Sequence, residues 1–97
     1  MAFEVILSPQ AIEDLNTLEA RVRSEVRDRI ELHLTHEPSK TSRSRIKRLR
    51  GLAQPQYRLR VGDIRLFYDI VASEVHILTI VTKGRAQQWL SAFGVPG

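Results

Sequence analysis

The chain of 97 residues contains no cysteine. That absence excludes a disulfide framework, a thiol nucleophile and a thiolate zinc site together. Histidine is nearly as scarce, and His33, His36 and His76 are scattered rather than spaced as ligands, so no metal site is expected. No stretch approaches the roughly 20 apolar residues needed to span a bilayer. The opening MAFEVILSPQ lacks the basic start and long apolar core of a secretory signal. A soluble, cytoplasmic chain with no membrane partner is therefore expected. What is present, 42% hydrophobic and 27% charged residues with 5 Gly and 4 Pro, is the composition of an ordinary globular protein. Residues 1–97 are of a size for one domain with one modest core.

The net charge of +4 conceals a segregation. Residues 1–37 carry four Arg against eight acids, and residues 66–97 balance to zero. Residues 38–65 carry nine cations, among them Arg43, Arg45, Lys47, Arg48, Arg50, Arg58, Arg60 and Arg65, against Asp63 alone, a balance of +8. Such concentration is the electrostatic footprint of a polyanion partner, and arginine, whose planar fork pairs with phosphate and stacks on bases, dominates it. A solvated basic loop is the alternative reading of the same segment.

Local patterns order the chain as α+β. Phe3 to Leu7 reads as a strand stopped by Ser8-Pro9, an N-cap followed by proline at the first helical position. Ile12, Leu15 and Leu18 then predict a short helix, and Val22, Val26, Ile30 and Leu34 a second from about Glu19 to His36, ended by Pro38. Residues 39–50 show no clear period and read as a loop or a marginal turn of helix. Tyr57, Leu59 and Val61 alternate with Arg58 and Arg60, Gly62-Asp63 forms a two-residue turn, and Ile64, Leu66 and Tyr68 alternate with Arg65 and Phe67. This hairpin has a register that can be written down: Val61 opposite Ile64, Arg60 opposite Arg65, Leu59 opposite Leu66, Arg58 opposite Phe67 and Tyr57 opposite Tyr68. After a turn near Ala72-Ser73, the apolar run Val75 to Val81 reads as a central strand buried on both faces. Ala86, Trp89, Leu90 and Phe93 predict a terminal helix capped by Gly94. The expected architecture is an N-terminal strand, a helical hairpin, an antiparallel three-stranded meander completing a four-stranded sheet, and a short C-terminal helix.

One face of the hairpin is apolar and the other carries Arg58, Arg60, Arg65 and Phe67. Like charges directly opposite one another destabilise a sheet by about 0.2–1 kcal/mol, so Arg60 against Arg65 is poor design for stability alone. Converging guanidinium forks are well suited to gripping a phosphate. The alternative is that arginine stems merely cover apolar surface. Asp69 and His76 would meet across the second hairpin and could form a proton-transfer pair if its turn is two residues long. Tyr57 and Tyr68 fall on the core face, and Trp89 is either an anchor or a stacking platform.

The runs IKRLRG (Ile46 to Gly51) and YRLRVGDIRLFYDI (Tyr57 to Ile70), followed by an apolar strand and KGR (Lys83 to Arg85), resemble the RelE/ParE superfamily of toxins from type II toxin–antitoxin modules, closest to the RelE branch. The likeness spans essentially the whole chain. It implies a ribosome-dependent endoribonuclease that cleaves mRNA without a cofactor and is neutralised by a cognate antitoxin. Carried over by position, it implies catalytic roles for Arg58, Arg60, Arg65 and Arg85. RNA contacts are expected from Arg43, Arg45, Lys47, Arg48, Arg50, Phe67, Lys83 and Trp89. RelE itself has lysines at the positions of Arg58 and Arg60, and the family tends to carry a tyrosine shortly after the last arginine, where this chain offers only Trp89. The alternatives within the resemblance are a ParE-like inhibitor of DNA gyrase and an inactive antitoxin-binding homologue.

Overall fold

Residues 2–97 are described by a computed structural model. Strand β1 (Glu4–Leu7) runs parallel to β6 (Glu74–Thr82), pairing Glu4 with Glu74 through Leu7 with Ile77. At Ser8 the chain changes from strand to helix. Its backbone N–H continues the ladder to the Ile77 carbonyl, its hydroxyl donates to the Leu78 carbonyl (2.7 Å), and its Oγ accepts from the Ala11 N–H, opening α1 (Pro9–Thr17). Beyond Leu7 the outer edge of β6 has no strand beside it. Asp14 of α1 replaces one, its Oδ2 accepting from the Thr79 hydroxyl (2.7 Å) and the Ile80 N–H (3.0 Å). An exposed ladder edge is thereby closed by side chains.

Helix α2 (Ala20–Arg29) continues into a π-helical turn, Ile30–Leu34. Apolar residues stepping by four drift about 40° per step around a helix of 3.6 residues per turn. The widened turn brings Leu34 back, so Val26 and Leu34 are both fully buried. The two helices cover one face of the sheet, where Leu59, Leu66, Tyr68, Val75 and Ile77 form the core with Ala11, Leu15 and Val26. The Tyr68 hydroxyl donates to the Pro38 carbonyl (2.6 Å), pinning the start of the following connection to the sheet.

That connection holds a difference from expectation. Residues 39–50 include a strand of three residues, β2 (Ile46–Arg48), antiparallel to β4 (Tyr57–Val61), so the sheet has five strands in the order β1-β6-β5-β4-β2. The short strand forms because Ile46 fills the core opposite Leu59 while its backbone pairs the otherwise open edge of β4. A separate ribbon joins β3 (Leu52–Gln54) to β7 (Val95–Pro96).

Strand β5 (Ile64–Val71) pairs with β4 in the expected register at all five positions. The strand buried on both faces is β5, from Ile64 to Asp69, rather than β6. A bulge in β6 explains the difference. Phe67 pairs with Thr79 and Tyr68 with Ile77, leaving Leu78 extra, so the alternation of faces resets within the run. Val75, Ile77 and Ile80 enter the core, while His76 and Thr79 face the other way. Helix α3 (Lys83–Phe93) begins three residues earlier than the apolar spacing predicts and packs on the face opposite α1 and α2. Gly94 caps it through an N–H to the Leu90 carbonyl. Glycine is required there by close approach, since a Cβ would lie 3.2 Å from the Leu52 side chain and 2.5 Å from the Leu90 oxygen.

Candidate nucleic-acid interface

The β4–β5 hairpin positions the arginines. Gly62 takes the left-handed φ of +57° that opens the two-residue turn, and strict alternation on either side sends Arg58, Arg60, Arg65 and Phe67 away from the core. Strand β2 adds a cation to this face. Lys47 pairs with Arg58, so the two side chains leave the sheet on the same side, and Lys47 also lines a groove against α3. The turn is tied to α3 by the Lys83 N–H, which donates to the Asp63 carbonyl (2.8 Å) and brings exposed Lys83 to the tip of the hairpin, whereas exposed Arg85 lines a separate cleft with Gln10, Asp14 and Thr79 beside the outer edge of β6.

The arginines differ in environment. Arg60 is exposed. Arg65 is only 6% exposed, and its Nη1 donates to the carbonyls of Gly62 (2.9 Å) and Ile64 (3.1 Å), so its guanidinium is drawn back against the turn. Arg58 is half-buried, and its Nε is enclosed without a hydrogen-bond partner. Burial, and then the charges of Arg65 and Arg60, push the Arg58 pKa down. Burial and Arg60 do the same to Arg65, opposed by Asp63. Both remain cations at neutral pH, because guanidinium starts from so high a value. Neither receives a carboxylate: among the described residues the ion pairs are Lys40 with Glu37 (3.6 Å) and His76 with Glu74 (2.9 Å). The cluster is thus a partly desolvated concentration of positive charge that forms no close ion pair among the described residues, with Asp63 of the turn acting only on Arg65, and it is suited to holding a phosphodiester.

The remaining expected contacts divide. Arg50 joins Lys47 in the groove of about 760 Å³ bounded by Leu49, Leu52 and Leu90. Arg48 lies over the Tyr57 ring, 5.0 Å from its centroid, and Arg45 lines a separate cleft beside His33 at the end of α2. Arg43 is exposed in the connection before β2. Phe67 requires correction as an RNA contact, because it is 1% exposed and covered by Trp89, whose ring stacks on it at 5.4 Å and 10°. Trp89 therefore anchors α3 to the sheet, with its half-buried ring also touching Phe93. Asp69 and His76 are register partners as the two-residue turn implies, but they are not a proton-transfer pair. Asp69 accepts from Gln54 Nε2 (2.7 Å) and the Gln56 N–H (2.8 Å), while His76 turns to Glu74. The place of Lys47 beside Arg58 had no signal in the sequence, since it depends on a strand of three residues without a period.

Comparisons agree with this fold. Among solved structures, an archaeal RelE–RelB complex from Pyrococcus horikoshii is similar at 24% identity and a TM-score of 0.71, covering 88% of this chain and 99% of that one. A RelBE toxin–antitoxin complex of Mycobacterium tuberculosis is similar at 26% identity and a TM-score of 0.63, covering 84% and 99%. A mutant of E. coli toxin RelE in the free state gives 20% identity, a TM-score of 0.69, and coverage of 94% and 93%. A search of curated protein sequences finds no match. The sequence profile of the ParE toxin of the type II toxin–antitoxin system parDE matches residues 5–87, so the chain belongs to this toxin family within the RelE/ParE superfamily.

Proposed function

We propose that this toxin is a ribosome-dependent endoribonuclease that cuts mRNA, held in check by a cognate antitoxin. The observation that carries the reading is the guanidinium cluster of Arg58, Arg60 and Arg65 on one face of one hairpin, without a close ion pair among the described residues and including a buried Arg58 Nε with no partner. An antitoxin partner is supported by the similar structures, several of which are toxin–antitoxin complexes.

Cleavage proceeds by attack of a ribose 2′-oxygen on the adjacent phosphorus, with negative charge growing on the phosphoryl oxygens. Arg58 and Arg60 meet that charge from the sheet, and the resemblance assigns Arg85 a further part from its own cleft at the start of α3. Arg65, set back against the turn, raises the potential behind them. Preorganised donors of this kind contribute about 10²–10³ in rate each. Nothing in the cluster aligns a flexible strand for in-line attack, and a message held on the ribosome supplies that alignment.

The test compares purified protein on programmed ribosomes and on naked RNA, with mapping of new mRNA 5′ ends. Cleavage is expected on ribosomes and negligible on free RNA, and Arg60→Ala and Arg85→Ala should each lower the ribosomal rate by about 10²-fold with folding unchanged. Equal degradation of free RNA, or full activity in both variants, contradicts the reading. Inhibition of DNA gyrase is the second reading, favoured by the match to the ParE profile. A supercoiling assay separates the two: the nuclease reading expects gyrase to run unimpeded at toxin concentrations that arrest translation.

A further inference from the structure

We propose that Lys47 is the general acid of this site, delivering the proton to the leaving 5′-oxygen. The inference rests on the nuclease reading and adds to it the source of the proton.

The arginine cluster stabilises charge but does not exchange protons, because guanidinium holds its proton far above neutral pH. Lysine ammonium does exchange, and the β2–β4 register sets Lys47 directly opposite Arg58. Directly opposed residues have Cβ atoms about 5 Å apart, so two long side chains starting there can reach one phosphodiester. A second observation places Lys47 on the correct side: it shares its groove with Gln87 and Leu90 of α3, the helix that also covers Phe67, the neighbour of Arg58 on β5. Lys47 is exposed and forms no ion pair among the described residues, so its ammonium is available to a ligand.

Other titratable groups are placed elsewhere. His33 lines the cleft at the end of α2, on the helical side. His76 is engaged with Glu74, two strands across and about three residues along from Arg58, roughly 12 Å or more by strand spacing and rise. Tyr68 is buried in the core with its hydroxyl on Pro38. Asp63 sits in the turn of the hairpin, where it acts on Arg65. Lys83 opens α3 at the tip of the hairpin, and no register partner sets its side chain beside the arginines.

The 2′-oxygen forms a bond to phosphorus and passes its proton to water. The bond from phosphorus to the 5′-oxygen breaks, and that oxygen takes a proton from Lys47 Nζ. The products are a 2′,3′-cyclic phosphate and a 5′-hydroxyl, and neutral Lys47 regains its proton from solvent.

Lys47→Arg keeps the charge and removes the exchangeable proton. In single-turnover cleavage on programmed ribosomes, it should lose about 10²-fold in rate while ribosome binding and thermal stability stay unchanged. A message with sulfur replacing the scissile 5′-oxygen has a leaving group that needs no protonation, so on it Lys47→Arg should recover to within a few-fold of wild type. Lys47→Ala should show the same rescue. Normal cleavage by Lys47→Arg, failure of the sulfur substrate to rescue it, or a rescued loss in Lys83→Arg instead would overturn the assignment while leaving the nuclease reading intact. Absence of cleavage by the wild-type protein would overturn both.

Discussion

A guanidinium drawn out of water keeps its charge, so the local structure must bear the desolvation. At Arg65 two backbone carbonyls of its own turn bear part of it, and at Arg58 a buried Nε is left without a partner. These costs fall on the residues whose charge the proposed chemistry uses. His33 illustrates the opposite case, in which a group yields its charge. Burial, followed by the charges of Arg45 and Arg29, lowers its pKa from 6.5, so the folded protein holds it neutral at a pH where the unfolded chain binds a proton. Its contribution to stability is present above pH 6.5 and is lost as pH falls through the lower folded value. The thermal midpoint should therefore decline between about pH 7 and pH 5, and His33→Gln should flatten that decline. An identical slope in the variant would show that other groups set the acid sensitivity.

The hairpin formed by β4 and β5 was legible because strict alternation and Gly62 each point to the same register, and a slip by one residue would exchange the core face for the arginine face. The second hairpin turns at Ala72, which adopts a φ of +54° without being glycine. A left-handed alanine carries about 1 kcal/mol of strain. Ala72→Gly should relieve it at a cost of about 0.5 kcal/mol in chain entropy and so raise the melting temperature by about 2–4 °C, measured by circular dichroism, whereas an unchanged or lower value would mean that chain entropy outweighs the strain. The β6 bulge was not legible. A continuous apolar run reads as a strand buried on both faces, yet here it arises because one inserted residue, Leu78, switches the inward parity midway. Nor could alternation reveal that Phe67 lies under Trp89, since the position of α3 over the sheet is not encoded within either element.

At the scale of the whole molecule, the basic segment does not act as a single patch. The fold sends Lys47, Arg50, Arg58, Arg60 and Arg65 toward α3, while Arg48 goes to Tyr57 and Arg45 to the cleft beside His33. If the α3 side meets RNA phosphates, affinity for programmed ribosomes should fall linearly in log–log salt titrations, and Arg60→Ala should reduce that slope by about 0.7. A slope unaffected by the substitution would place Arg60 away from phosphate. What the sequence determined by itself was local: charge gathered in residues 38–65, helix starts written in Ser8-Pro9, and a hairpin whose period and turn impose its register. Tertiary structure alone decided which cations share a face. Strand β2 is too short to declare itself, and its pairing of Lys47 with Arg58 follows from the open edge of β4 and the core space that Ile46 fills, neither of which exists until the sheet has assembled.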